Sequence, residues 1–246
     1  MLLRWAREDA KRFDSVSNAF FDGDPYVMFS EIDPETREEA FKARPRDAPN
    51  ELQKLAAHIL VDLKSALDQA TFAAVSPLLN RMPTQAYFPF ASHPNNLRAK
   101  LEKGPYPVEL RGVFEGFEPY PRGNDYAGGD DEFCELSRMA NTGKHIVAVS
   151  ARPEVHVASL TGTSTAGMKI PWPGWDRAKQ ELTYLVVPVG AHIKIEGKIA
   201  GFVAFSGVET LEAEPAGNVI KVFIDCVEEV IDTLEWAVTT ILSVPR

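Results

Sequence analysis

The chain is poor in cysteine. Cys134 and Cys226 are the only thiols in 246 residues, too few for a disulfide framework, and this usage fits a reducing, cytoplasmic compartment. Long apolar runs are missing as well. Nothing approaches the roughly 18 consecutive apolar residues that a membrane-spanning helix needs, and Arg4 and Arg7 interrupt the N-terminal stretch where a secretion signal would carry its apolar segment. Basic residues are outnumbered, 26 Lys and Arg against 35 Asp and Glu, for a formal charge of −9. Extended nucleic-acid binding draws on clustered Lys and Arg, so this balance argues against it. There is also no P-loop, no G-x-G-x-x-G, no G-x-S-x-G, no H-E-x-x-H and no paired C-x-x-C. The common nucleotide, serine-hydrolase and zinc signatures are therefore lacking, and no cofactor or metal is expected.

What is present is an ordinary globular composition, 45% hydrophobic and 25% charged. A compact chain of this length hides about 70% of its unfolded surface and needs no metal or disulfide to fold. Residues 2–21 read as a helix through Trp5, Phe13, Val16 and Phe20. Pro25–Ile32 and Glu38–Arg44 read as a hairpin around Asp33-Pro34-Glu35-Thr36, because Pro presets φ and Asp bonds nearby backbone. Asn50 can cap a helix to about Val75, with Pro77 as its stop. Leu52, Ala56, Ile59, Leu63, Ala66, Ala70 and Ala73 make its apolar stripe, and Ala57 and Val61 extend apolarity to the other side. Such a helix belongs in the centre of a fold.

Further on, a short helix is expected at Asn95–Lys103, an extended segment at Glu109–Phe117, and a helix from Asp130 or Asp131 through Phe133, Leu136 and Met139 to Gly143. After Lys144 β-branched residues dominate. Ile146–Ser150, Val155–Leu160, Leu182–Val189, Ala191–Ile195 and Lys198–Ser206 read as strands, with Glu196-Gly197 as a tight turn. Ile220, Phe223, Val227, Val230, Leu234, Ala237 and Ile241 then step along a long helix capped by Asn218. The expected fold is α+β: one domain with a helical portion at about 1–145, a mostly antiparallel sheet at about 146–210, and a returning helix at about 217–243. The last helix has a wide apolar face that could also serve a homodimer.

The central helix carries His58, Asp62, Ser65 and Gln69 at intervals of four, three and four, within about 60° of one another. Lys64 and Asp68 form an i,i+4 pair on a different side. A polar line on an otherwise apolar helix either lines a pocket or belongs to a satisfied network. Asn141, Lys144 and His145 stand where a helix gives way to a strand, a junction that can cap the helix or project into a cleft. If His58 and His145 met, they would make a two-histidine acid–base pair. The acidic Gly-rich run 124–132 lacks the ligand spacing of a calcium loop and reads as the approach to a helix cap. Pro171-Trp-Pro-Gly-Trp175 is an aromatic turn that either stacks a ligand or anchors a loop.

Four blocks occur in order: His58 with Leu63-Lys-Ser-Ala-Leu-Asp-Gln69, then Phe88-Pro-Phe90, Glu118-Pro-Tyr120, and Leu136 with Asn141 and Lys144-His145. Together they resemble a family of uncharacterised bacterial and phage-borne proteins with a His-Asn-Leu-Arg-Ser-Ala-Leu-Asp-His helix and Phe-Pro-Ile, Gln-Pro-Tyr and Asn-x-Asp-Lys-His blocks. The resemblance covers about residues 50–150 and implies no activity. That helix is similar in spacing to the Arg-x4-His ribonuclease motif of HEPN domains. Here the matching positions are Lys64 and Gln69. Lys meets a phosphate only as a point charge, and Gln exchanges no proton near neutral pH, so the resemblance implies a degenerate member.

Two functions follow as expectations. One is a non-catalytic binding module for a small, anionic ligand or a protein partner, its polar pocket drawn from His58, Asp62, Lys64, Ser65, Gln69, Asn141, Lys144 and His145. The other is a phosphodiester or small-molecule hydrolase working through His58 and His145.

Overall fold

A computed structural model describes residues 1–79, 82, 83, 85–142, 149–154, 159–162, 167–171, 174–176, 178–191, 193–196, 199–206, 208, 211 and 214–244. The fold is α+β. It divides into two compact units, each assembled from separated stretches of chain: Met1–Phe13, Gln53–Val147 and Gly217–Arg246 form one, Asp14–Leu52 and Ala148–Ala216 the other.

The first unit is helical. It holds the start of α1 (Leu2–Asp22), then α2 (Asn50–Val75), α3 (Pro94–Lys103), α4 (Val108–Gly116), α5 (Asp131–Thr142) and α6 (Ala216–Ser243). On α1 the buried face is Ala6, Ala10 and Phe13, spaced four and three apart. Trp5 stands 43% exposed, so it is not the first member of the apolar stripe. Along α2, Leu52, Ala56, Ile59, Leu63 and Ala66 are buried as expected, and Leu55, Leu60 and Leu67 join them. Each fully buried Leu or Ile contributes about 1.5–3 kcal/mol, which is why this helix sits in the core. Toward its end the buried face turns to Thr71, Ala74 and Val75, and Ala73 is exposed. The helix stops at Val75, and Ser76-Pro77-Leu78 make one tighter turn.

Two expectations are corrected here. Glu109–Gly116 lies in a helix, α4, with Phe117 as its C-cap, rather than in an extended segment. Pro107 precedes its first residue, where a missing N–H costs nothing, and Leu110 and Phe114, one turn apart, are both buried. Val113, Gly112 and Gly116 depress local helix propensity, and burial overrides it. The last helix begins at Ala216, so Asn218 lies inside its first turn instead of capping it. Its steps Ile220, Phe223, Val227, Val230, Leu234 and Ala237 are all buried. Arg7 of α1 and Glu228 of α6 form an ion pair.

The second unit is built on an antiparallel four-stranded sheet of order β1-β2-β6-β5, with β1 Tyr26–Asp33, β2 Glu38–Pro45, β5 Trp175–Asp176 and β6 Glu181–Pro188. The hairpin forms as expected: Asp33 Oδ1 accepts from the N–H of Glu35 at 2.8 Å and of Thr36 at 3.3 Å. Sequence alone does not reveal that this hairpin joins the distant β6, with Ala40 opposite Val186 and Ala43 opposite Leu182. Tyr26, Ala43, Leu182, Tyr184, Leu185 and Val187 form the core of one sheet face. Trp175 is partly buried against that core, which fits the anchoring role of the aromatic turn; Trp172 and Pro173 lie outside the described residues.

The remaining strands are β3 (Val149–Glu154), β4 (Ser159–Gly162), β7 (Ile193–Glu196) and β8 (Ala200–Phe205). β3 pairs with β8, and β4 with β7. Ser159 is opposite Glu196 and Glu154 opposite Ala200. These are two separate two-stranded antiparallel sheets, in which β7 and β8 have different partners. The expected hairpin of β7 with β8 about Glu196-Gly197 is not among these pairings; Gly197 itself lies outside the described residues.

Candidate ligand-binding site

In the helical unit, hydrogen bonds tie α2 to the Phe88-Pro-Phe90 segment and that segment to Glu118-Pro-Tyr120. Asp68 of α2 accepts the N–H of Phe88 at Oδ1, 2.9 Å, and Lys64 Nζ lies 3.3 Å from Oδ2. Tyr106 donates its hydroxyl to the carbonyl of Tyr87 at 2.7 Å, and burial, aided by the Asp68 carboxylate, pushes its phenol up to about 12. Lys64 is thereby engaged with Asp68 within its own helix. Phe88 sits among Phe90, Phe114, Phe117 and Phe133 with ring centroids 4.9–6.1 Å apart, edge-on to all but the tilted Phe117 ring, an arrangement that aromatic quadrupoles favour.

The N–H of Ala91 donates to the carbonyl of Pro119 at 2.9 Å, so the Phe-Pro-Phe block is tied to the Glu-Pro-Tyr block. Glu118 in turn accepts the N–H of Gly129 at 3.0 Å. Gly129 has φ +99°, and an added Cβ would lie 2.8 Å from the carbonyl oxygens of Tyr120 and Pro121. That close approach explains a glycine there. Asp130 Oδ1 then accepts the N–H of Phe133 at 2.8 Å and caps α5. The acidic Gly-rich run is thus the approach to a helix cap. Among the described residues no group of His, Cys, Asp and Glu could hold a metal ion.

This framework leaves a hollow of about 540 Å³ between the segment after Phe90, α3 and α5. Phe90, Ala91 and Cys134 form its apolar part; Ser92, Asn96, Lys100, Ser137, Arg138 and Asn141 supply polar groups. His93 starts α3 by accepting the N–H of Asn95 at Nδ1, 3.1 Å, which places Asn96 and Lys100 one turn apart on one side. The Lys100 ammonium donates to the carbonyl of Phe90 at 2.6 Å. Among the described residues no carboxylate pairs with it. Arg138 Nε donates to Glu135 at 2.6 Å. The Cys134 thiol is pushed up to about 12, chiefly by burial and then by Asp130. A thiol so raised stays protonated and is a poor nucleophile at neutral pH.

Of the residues singled out from sequence, Asn141 lines this hollow. His58 and Gln69 are exposed on α2, and Asp62 and Ser65 are half-buried between them; none of the four lines the hollow. Asp62 has its carboxyl held above the ordinary range, first by desolvation and then by Asp9, with His58 opposing. Lys144 and His145 lie outside the described residues, so the His58–His145 pairing lies outside them too. Sequence reasoning overlooked Ser92, Asn96, Lys100, Ser137 and Arg138. The signal was there: Cys134, Ser137, Arg138 and Asn141 fall at i, i+3, i+4 and i+7, one face of a helix.

No protein-family model, curated protein or solved structure matches this chain. The functional reading therefore rests on the residues themselves. Among them no helix is long and apolar enough to cross a membrane.

Proposed function

We propose that the chain is a non-catalytic binding module of the cytoplasm and that the hollow beside Phe90 takes a small anionic ligand. The observation that carries this reading is Lys100. An ammonium has three donors, and one of them is spent on the Phe90 carbonyl, which fixes the charge at the rim of the hollow. In an acidic chain of net −9, a lysine with no carboxylate pairing it among the described residues is a favourable place for a phosphate or carboxylate group. Arg138 adds a second cation, softened by Glu135. Asn96, Ser92, Ser137 and Asn141 supply neutral donors and acceptors, and Phe90 an apolar wall, the mixture of few polar groups on an apolar surface that small-molecule sites use.

Isothermal titration with inorganic phosphate, nucleoside monophosphates and dicarboxylates, each beside a neutral analogue, tests the reading. Anions should bind and neutral analogues should not. Lys100→Ala should weaken binding about 10- to 100-fold, the worth of a charge-assisted hydrogen bond, and Arg138→Ala by less. Equal binding by native chain and Lys100→Ala would defeat the proposal, as would a complete absence of anion binding.

A further inference from the structure

The four-stranded sheet ends very differently on its two sides. One edge is β5, two residues long. The other is β1, eight residues long, and among the described residues no strand lies beside its outer edge. Proteins usually guard a long edge with Lys, Pro or a bulge. β1 contains neither Lys nor Pro, its two charges are Glu31, paired with Lys42 of the neighbouring strand, and Asp33 at its very end, and its pairing with β2 runs without a register shift from Tyr26 to Asp33. It also exposes apolar side chains. Met28 is 52% and Ile32 59% exposed, and both lie on the side of the strand that carries the buried Tyr26, since side chains alternate.

We propose that this edge pairs with β1 of a second copy of the chain, in antiparallel register about a two-fold axis through Ser30. The symmetry restricts the choice. An antiparallel pair that continues a sheet across a two-fold keeps like faces on one side, so the axis passes through a residue. An axis at Glu31 sets that carboxylate against its own copy. An axis at Phe29 sets Ile32 against Tyr26, which is 5% exposed and already committed to the unit's own core. An axis at Ser30 sets Met28 against Ile32 twice, Phe29 against Glu31 twice and Val27 against Asp33 twice. No like charges then oppose, and the exposed Met28 and Ile32 cover each other. Each Glu31 brings its own ion pair from Lys42, so the two glutamates near the axis arrive neutralised. Arg44 lies over the Phe29 ring at 5.3 Å and keeps that side polar. The partner this edge fits is therefore a second copy, joined by main-chain hydrogen bonds and two Met–Ile contacts.

Sedimentation equilibrium of the full chain at micromolar concentration should give twice the monomer mass. Met28→Lys with Ile32→Lys, changes at exposed positions, should halve it while far-UV circular dichroism stays unchanged. Independently, Ser30→Cys places a thiol opposite its own copy. Mild oxidation should link that variant into a covalent dimer, whereas Glu35→Cys, in the turn beyond the pairing, should stay unlinked. A native chain that sediments as a monomer overturns the proposal. So does a dimer that survives the double lysine change, which would assign the contact to another surface, or equal cross-linking of the two cysteine variants.

Discussion

Thr71 shows how a single side chain departs from the rule that buried polar groups find partners. It lies in the last turns of α2 with no exposed surface, and its hydroxyl has no hydrogen-bond partner among the described residues. Thr71→Val keeps the shape and removes the unsatisfied group, so it should stabilise the chain by about 1 kcal/mol, read as a rise in the urea midpoint at constant slope. Asp68 is the contrasting case. It looks like half of a surface i,i+4 pair in the sequence, yet its second oxygen holds the Phe88 backbone. The side chain is half-buried, so it joins helix to loop in a way that helical spacing alone does not disclose.

At the scale of elements, β2 and β6 share one buried charge. Glu181 is 5% exposed and takes ion pairs from Arg44 and from Lys42, the latter at 3.6 Å. The hydrogen bond from Arg44 holds its carboxyl below the ordinary glutamate range, with Lys42 adding to the effect and burial opposing it. A carboxyl with a lowered folded-state pKa contributes stability above its unfolded value and loses it as pH falls through the folded one. Glu181→Gln should therefore lower the melting temperature at neutral pH and leave a smaller further loss on acidification than the native chain shows. Thermal melts between pH 7 and pH 3 check this; parallel curves for the two proteins would assign Glu181 no role in acid sensitivity.

At the scale of the molecule, the sheet unit is assembled from chain on both sides of the central helices. Arg44 and Glu181 are 137 residues apart in sequence, and β2 pairs with β6 across that distance. Such non-local pairing closes a long loop before any strand contact is gained. Replacing residues 24–47 with a Gly-Ser linker should leave β6 without its long partner and uncover Leu182, Leu185 and Val187. Hydrogen exchange of the β6 amides should then rise to near the rate of unstructured chain, while the amides of α2 and α5 keep most of their protection.

The local elements were legible because their causes are local. The period of Leu52 to Ala66, the turn chemistry of Asp33-Pro34, the cap at Asp130 and the steps from Ile220 to Ala237 are each set by neighbouring residues. They marked the helices and the hairpin of an α+β chain. Glu109–Phe117 misled because burial of Leu110 and Phe114 outweighs the propensity of two glycines and a valine. The site was only partly legible. The line from His58 to Gln69 is real as spacing, but its outer members face solvent, since periodicity says which residues share a face and not what that face meets. Asn141, singled out from sequence, lines the hollow, while Lys100 and Arg138 gained significance only when α3 and α5 flanked the segment after Phe90. Which distant strand the hairpin pairs with, and which polar groups share a hollow, depend on contacts between residues far apart in the chain. No pattern within one segment encodes those contacts, so tertiary structure alone decided them.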